Sequence, residues 1–225
     1  MKKIIKRVIA YMIDIFLVSI VSTLITSNLY INKDYNEYNK VYKEYNTFYE
    51  KYEDSLDELE DILEDEKITQ KEFDKQIKKV NNSFEKENIN YNYKLIKLSI
   101  IPTIMNILII LLYFVVIQYY FKGQTLGKWT MKLRVVSNNS KKLNILNYLL
   151  RSIILNGVLI NILSVIMVFV LSKNNYIIYS EIVYVINYII EMSIIFMMAF
   201  NKENRGFHDY IANTKVVLEG EINEV

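Results

Sequence analysis

Four long segments of this chain are almost free of charge, and they limit the folds that it can adopt. Residues 98–121 and 152–172 contain no charged side chain, residues 176–200 contain two, and residues 8–29 contain only Asp14. At a helical rise of about 1.5 Å per residue, each segment is long enough to cross a hydrocarbon core about 30 Å thick. A soluble protein of 225 residues would have to bury all four in one small core. We therefore predict four transmembrane helices.

Basic residues are distributed unevenly among the segments that connect these helices. Residues 122–151 contain seven Lys or Arg residues and no acid, four more precede residue 8, and three lie in the tail at 201–225. The connection between the third and fourth spans contains only Lys173. Positive residues concentrate on the cytoplasmic side of a membrane. We therefore expect a multi-pass plasma-membrane protein with residues 122–151 and both termini in the cytoplasm.

The first 29 residues resemble a signal peptide, because basic residues precede an apolar run. The length of the run, its Asp14 and the sequence Ser27-Asn28-Leu29 do not favour cleavage. We expect this segment to be retained as a cytoplasmic N-terminus followed by the first span.

The inventory of reactive side chains is small. The chain has no Cys and one His, which excludes disulfides and thiolate metal sites. Neither a second His nor a nucleophile elbow accompanies His208. We therefore predict no catalytic residue, no metal site, no cofactor and no nucleic-acid partner; the lipid bilayer is the first partner that the sequence indicates.

Residues 30–97 form the most acidic part of the chain, with 12 basic and 17 acidic residues, and the topology puts them outside the cell. From Tyr35 to Leu63, aromatic and apolar residues alternate at spacings of three and four, which is typical of heptads. A second such pattern follows Thr69 and Glu72, which have the spacing of a capping box. We predict an antiparallel coiled-coil hairpin about 45–50 Å long. A disordered acidic loop is the alternative.

The tyrosines of this predicted hairpin leave two interpretations open. They form the seam between the two helices, or they form a docking surface for an extracytoplasmic protein partner, since a Tyr hydroxyl needs a hydrogen-bond partner or water. The hairpin could also self-associate, which would make the protein a homo-oligomer. The sequence does not decide among these arrangements.

The basic segment contains the sequence Gly123-Gln124-Thr125-Leu126-Gly127-Lys128. A phosphate-binding loop has four residues between its glycines and a Ser or Thr after its Lys. Here three residues separate the glycines and Trp129 follows, so we predict a turn with Lys128 and Trp129 at the headgroup interface. Residues 133–137 and 141–143 have the composition of a small β-hairpin, to which residues 216–218 could add a strand.

Three motifs, taken together and in this order, resemble the RDD family of membrane proteins. They are Arg7-x-x-Ala10-x-x-x-Asp14, then Gly123-x-Thr125-x-Gly127-Lys128 with Leu133-Arg134-Val135-Val136, and finally His208-Asp209 followed by Thr214-x-Val216-Val217. The family is named for one arginine and two aspartates, which Arg7, Asp14 and Asp209 would supply. The resemblance covers the four spans and the tail, whereas residues 30–97 look like an insertion.

The resemblance implies a polytopic bacterial membrane protein. With the four spans and the helical hairpin, we predict an all-α fold. A transport role, including cation/proton exchange, has been proposed for the family. The resemblance implies no cofactor and no agreed active site.

The charged residues within the spans have two interpretations each. Asp14, about 9 Å inside the first span, either forms an ion pair with Arg7 or Arg151 or serves as a cation or proton site. Glu191 of the fourth span lies near the predicted midplane, with Asn161 at a similar depth in the third span. Glu191 either bonds an amide between helices or joins Asp14 and Asn161 in a polar column. A carboxylic acid in a low dielectric can exchange protons near neutral pH.

The tail contains His208 and Asp209, close to Thr214. We expect Asp209 to cap a tail helix or to pair with Lys128 or Arg134. Two functions are consistent with the whole sequence. The first is a small transporter or cation/proton exchanger, and the second is a scaffold, immunity or sensor protein that binds a partner through the hairpin.

Overall fold

The computed structural model describes residues 3–28, 32–139 and 142–224. Within these residues, three helices are long and apolar enough to cross a membrane. They are α1 (Lys3–Thr26), the composite helix Ile100–Tyr120, and α9 (Lys173–Phe200). The composite helix consists of α4 (Ile100–Leu111), a π-helical segment (Leu112–Ile117) and α5 (Gln118–Tyr120). These helices are typical of a membrane protein.

The third apolar segment is broken rather than straight. Its two helices, α7 (Ile145–Leu155) and α8 (Val158–Val170), meet at 66°. The break lies at Asn156 and Gly157, and Gly157 has a φ of +60°, a conformation that costs glycine little. The described residues therefore contain three helices able to span a membrane, or four if the bent pair counts as one span. The third span predicted over 152–172 corresponds to α8 and the end of α7, with the bend between them.

The acidic segment between the first two spans is helical, with α2 (Tyr35–Glu64) and α3 (Gln70–Leu98) packed against each other. Cross-contacts show that the two helices are antiparallel: Glu37 with Lys94, Tyr45 with Asn88, and Tyr52 with Asn81. The predicted capping box of Thr69 and Glu72 is present at the start of α3.

Aromatic rings fill the contact between α2 and α3. Phe84 stacks on Tyr52 at 3.8 Å and on Phe48 at 5.2 Å between ring centroids. Tyr42 and Tyr49, by contrast, are 47% and 41% exposed. The tyrosine stripe is therefore shared between the interhelical contact and the outer surface, and Phe48 belongs to the contact although the heptad pattern omitted it.

A small sheet completes the fold on the side of the basic segment. β1 (Leu133–Ser137) pairs antiparallel with β2 (Thr214–Leu218), with Leu133 opposite Leu218. The all-α prediction missed this sheet as part of the fold class. The local hairpin expected with residues 141–143 does not form in the described residues 142–143, because Asn144 caps α7 there; residue 141 lies outside the described residues.

The sheet packs on the first two spans through a shared apolar core. One buried cluster joins the sheet to α1, the π-helical segment and α7: Ala10, Val115, Leu133, Val135, Tyr148 and Val216. A second cluster lies further along the spans: Val18, Ile107, Ile110, Phe114 and Val158. Beside these clusters, α6 (Leu126–Thr130) packs on α1, and α10 (Phe207–Ile211) packs on α7, α9 and β2. The buried charges lie next to these two short helices.

Candidate functional site

Asp14 of α1 is completely buried and holds three strong hydrogen bonds. Its Oδ1 accepts from the Tyr113 hydroxyl at 2.6 Å and from the Gly127 backbone N–H at 2.7 Å. Its Oδ2 accepts from the Thr125 hydroxyl at 2.6 Å, and the Lys128 ammonium lies 3.7 Å away. A buried carboxylate is tolerated when it is paired and hydrogen-bonded in this way. Asp14 therefore ties α1 to α6 and to the second span.

The spacing of the Gly-x-Thr-x-Gly-Lys motif follows from this contact. Thr125 caps α6, and its hydroxyl accepts from the Lys128 backbone N–H as well as donating to Asp14. A Cβ on Gly127 would lie 2.0 Å from the Ala10 carbonyl oxygen and 2.8 Å from Asp14 Oδ1. Only glycine allows α6 to approach α1 so closely.

Gly123, the first glycine of the motif, serves the sheet. Its φ is +94°, and a Cβ there would lie 2.2 Å from the Val135 carbonyl oxygen. Its own carbonyl accepts from the Val135 N–H at 3.0 Å. The glycine therefore turns the chain from the second span onto β1.

Asp209 of α10 is the centre of a second buried cluster. Arg7 donates to its Oδ2 at 2.6 Å, and Arg151 donates to its Oδ1. The Thr214 hydroxyl donates to Oδ1 at 3.3 Å, and the Gly206 N–H donates to Oδ2 at 3.1 Å. Asp209 thus starts the tail helix and joins it to α1 and α7.

The pairing of charges differs from the one expected from the sequence. Neither Arg7 nor Arg151 pairs with Asp14, because Arg7 lies about 10 Å nearer the start of α1, level with α10. Lys128 was expected at the headgroup interface, but it is buried beside Asp14, while Trp129 is exposed.

Asp209 does cap the tail helix, but the bases expected as its partners are used elsewhere. Lys128 serves Asp14, and Arg134 pairs with Glu219 at 3.3 Å and with the Gln124 side chain at 2.9 Å.

Burial and neighbouring charges set the protonation of this region. Burial raises the pKa of the Asp209 carboxyl, but the charges of Arg151 and Arg7 outweigh it and hold that pKa well below its usual range. Burial, with a further contribution from Arg151, keeps the pKa of His208 well below its ordinary value. Burial also lowers the pKa of the Lys128 ammonium to about 8, although Asp14 partly opposes this. Asp209 is therefore ionised and His208 neutral near pH 7.

The neutral His208 ring has one unused polar atom. Its Nε2 lies between a donor, Arg7 Nη2 at 3.5 Å, and an acceptor, Asp209 Oδ2 at 3.4 Å. Nδ1 is buried and has no hydrogen-bond partner among the described residues. The ring therefore retains one unpaired nitrogen, whichever nitrogen carries the proton.

A cavity of about 310 Å³ lies between α1, α7 and α9, next to both clusters. Its polar lining consists of Arg7, Tyr11, Lys128, Arg151, Glu191 and His208. Glu191 lies nine residues before the end of α9, about 13 Å along the helix. The side chain of Asn187 donates to its Oε1 at 2.7 Å.

The expected polar column is divided into two parts. A Cβ on Gly157 would lie 3.3 Å from Asn187 Oδ1 and 4.0 Å from Asn161 Nδ2, so both amides lie next to the bend between α7 and α8. Asn187 links this pair to Glu191. Asp14 is held separately by α6 and is not among the residues that line the cavity.

Sequence reasoning missed three residues of this region. Tyr113 donates to Asp14, Tyr11 donates to the Asn156 side chain at 3.2 Å, and Arg205 donates to the Thr214 and Asp209 carbonyls at 3.0 and 3.4 Å. The two tyrosines were detectable only as hydroxyl groups within apolar runs. Arg205 carried no local signal beyond its charge.

No group of three acidic or histidine side chains that could hold a metal ion occurs in residues 3–28, 32–139 and 142–224.

A model of the RDD family matches residues 2–213, a range that begins shortly before Arg7 and contains Asp14 and Asp209. No curated protein and no solved structure matches the chain.

Proposed function

Because the chain belongs to the RDD family, and because its apolar helices make it a membrane protein, we propose that it is a small transporter that moves an anion together with a proton. The site is the cavity between α1, α7 and α9. Glu191 carries the proton, while Asp14 and Asp209 brace the helices around it.

The balance of charge around the cavity is the observation that carries this proposal. Three cationic side chains line the cavity: Arg7, Lys128 and Arg151. Asp209 pairs with the two arginines and Asp14 pairs with Lys128, and neither acid lines the cavity. Glu191 lines the cavity and supplies a third negative charge when it is ionised. With Glu191 ionised the region is neutral. An added anion would then be uncompensated at high cost in a low dielectric, so anion binding favours proton uptake by Glu191.

Glu191 is the acid whose protonation disturbs the fold least. Asp14 accepts three hydrogen bonds and lies near an ammonium, and Asp209 accepts from two guanidinium groups. Protonating either would break a buried ion pair. Glu191 accepts from one neutral amide, that of Asn187, which can reorient.

The same charges disfavour cation exchange at this place. A cation in the cavity would lie near Arg7 and Arg151, and unit charges of the same sign repel strongly when they are partly buried. A cation bound to Asp14 would have to displace Lys128 and three hydrogen-bond donors. The sequence suggested a small transporter or a cation/proton exchanger. Of these two, we retain the transporter, and we propose that it moves an anion together with a proton.

A transporter also needs an element that moves, and the bend at Gly157 is suited to that role. Gly157 separates α7, which carries Arg151, from α8, and its left-handed conformation leaves the two helices joined by a short irregular link. Broken helices next to a binding site are common in transporters. A change in the 66° angle would alter access to the cavity from one side.

Uptake into proteoliposomes tests the proposal. The probes are radiolabelled octyl sulfonate, inorganic phosphate and chloride, and a pH gradient is imposed with the acidic side outside. We expect uptake of at least one probe to rise with the gradient. The Glu191→Gln variant should reduce this gradient-dependent part of the uptake at least tenfold. Glu181→Gln is the matched control, because Glu181, like Glu191, is an exposed acid on α9, but it does not line the cavity.

Two outcomes would contradict the proposal. One is gradient-driven uptake by Glu191→Gln equal to that of the unaltered protein. The other is the absence of gradient-dependent uptake of all three probes by the unaltered protein.

A second function, recognition of an extracytoplasmic protein through α2 and α3, is favoured by one observation. Tyr42 and Tyr49 of α2 are 47% and 41% exposed, although Tyr49 also contacts Phe84 of α3 at 5.9 Å between ring centroids. An isolated helical pair would place polar residues at such exposed positions. Replacing residues 34–94 by a short turn should abolish capture of a partner and leave the spans folded. Partner capture that survives this deletion would remove the main support for that function.

A further inference from the structure

The lining of the cavity is mainly cationic near Arg7 and mainly apolar further along its length, where Glu191 is the one carboxylic acid among the described lining residues. Along α1 it passes from Arg7 to Ile15, about 12 Å by helical rise. Leu155 and Ile195 continue the apolar wall on α7 and α9. A ligand that fills the whole cavity must therefore have an anionic end and an apolar end.

The apolar part is accessible from the lipid-facing surface. Val8, Ile15 and Ile195 line the cavity and are each more than a third exposed. α1 and α9 are not closely packed against each other, since α9 packs mainly on α3, α8 and α10. A molecule dissolved in the bilayer can reach this wall laterally, between α1 and α9.

The polar end contains an ammonium donor and a ring nitrogen whose hydrogen-bonding capacity the fold has not fully used. The Lys128 ammonium has three N–H groups, of which one reaches the Thr125 hydroxyl at 3.2 Å and another faces Asp14 at 3.7 Å. The buried His208 Nδ1 has no partner among the described residues. Buried polar atoms without partners are rare in folded proteins. A carboxylate, sulfonate or phosphate group accepts hydrogen bonds well from an ammonium, and from Nδ1 when that nitrogen carries the ring proton.

The size of the cavity limits the ligand. A volume of about 310 Å³ corresponds to roughly ten water-sized groups at about 30 Å³ each. This suffices for an anionic head and the first several carbons of one chain. A longer chain would extend into the bilayer through the opening beside Ile195.

We propose that the cavity binds a single-chain anionic amphiphile taken from the bilayer, with its head at Lys128 and His208 and its chain along Ile15, Leu155 and Ile195. The inference rests on the proposed function, whose substrate class it names. It also gives a reason for the position of Glu191 beside the chain, because a protonated carboxyl is better tolerated there than an ionised one.

Equilibrium binding to the purified protein in lipid nanodiscs tests the inference without any gradient, and protein-free nanodiscs correct for partitioning. The probes are octyl sulfonate, methanesulfonate and octanol, which separate the head from the chain. We expect octyl sulfonate to bind at least tenfold more tightly than either of the others.

Two variants of adjacent residues locate the site. Ile195→Trp should fill the apolar part of the cavity and weaken octyl sulfonate binding at least tenfold. Phe196→Trp should leave binding unchanged, since Phe196 is exposed and does not line the cavity. The thermal unfolding midpoint of each variant, measured without ligand, shows whether it is folded.

Methanesulfonate binding as tight as that of octyl sulfonate would identify a site for free anions and overturn the inference. Octanol binding as tight as that of octyl sulfonate would show that the site is an apolar pocket without a role for the anionic head. That result would also overturn the inference. Unchanged binding by a folded Ile195→Trp variant would place the ligand elsewhere. The two proposals can fail separately. If phosphate uptake is coupled to protons but the two sulfonates bind equally, the proposed function is supported and only the amphiphilic ligand is rejected.

Discussion

Arg7 of the first helix donates to Asp209 of the tail at 2.6 Å, although 202 residues separate them in the sequence. Arg151 from α7 completes the cluster on the other oxygen of the same carboxylate. The cluster therefore joins α1, α7 and the tail at one end of the fold.

Replacing Asp209 by Asn should strongly destabilise the protein. The change leaves Arg7 and Arg151 buried without a counter-charge, and breaking a buried ion pair in this way costs about 3–5 kcal/mol. Denaturant unfolding of the purified protein in detergent measures the loss. Asp57→Asn is the control, because Asp57 is an exposed acid on α2 whose loss should change the free energy of unfolding by about 0.5 kcal/mol or less. Equal free energies of unfolding for the two variants would show that the Asp209 cluster does not stabilise the fold.

Gly127→Ala should separate α6 from α1. The new methyl group would meet the Ala10 carbonyl at 2.0 Å, and relieving that clash moves the backbone N–H that Asp14 accepts. Overpacking of this kind costs about 1–3 kcal/mol, in addition to the lost hydrogen bond. Thermal unfolding should show a clear decrease in the midpoint. Gly220→Ala should show none, since nothing lies within 4 Å of a Cβ there; a similar midpoint for both variants would be evidence against close α1–α6 contact.

Mild acid should weaken the fold through His208. Its pKa is lowered on folding because burial disfavours the charged ring, so the unfolded chain binds a proton at a pH where the folded protein does not. The stability that depends on the neutral ring is fully present above the unfolded value of about 6.5 and is lost as the pH falls below it. Unfolding free energies measured between pH 7.5 and 5 should decrease.

The same titration of His208→Gln isolates that group. His208 is the only histidine in the chain, and the Asp209 carboxyl stays ionised throughout this range because its pKa is held low by Arg151 and Arg7. The variant should therefore have a much flatter pH profile. A profile as steep as that of the unaltered protein would assign the acid sensitivity to another group.

The membrane character and the family could be predicted from the sequence because both depend on local or ordered signals. Uncharged runs longer than 20 residues indicate spans whatever their neighbours are, and the capping box at Thr69 and Glu72 needs only four consecutive residues. The three motifs identified the family through their residue types and order. None of these signals depends on which helix lies beside which.

The pairing of the charges could not be predicted, because it depends on which helices lie next to each other. Arg7 and Asp14 share a helix face by spacing, which suggested a local pair, but α10 and α6 reach them from distant parts of the chain. The bend at Gly157 was likewise hidden, because residues on both sides of it are apolar and hydropathy does not report direction. Only tertiary packing decides these features.

The brace around Asp209 has a consequence for how the protein is made. A ribosome synthesises Arg7 about two hundred residues before Asp209, so the first helix enters the membrane with its guanidinium group still lacking its counter-charge. Until the last segment emerges, both arginines must remain hydrated or be shielded by lipid phosphates. A chain whose translation stops between Arg151 and Asp209 therefore contains both arginines without their counter-charge. These two unpaired positive charges distinguish it chemically from the complete molecule.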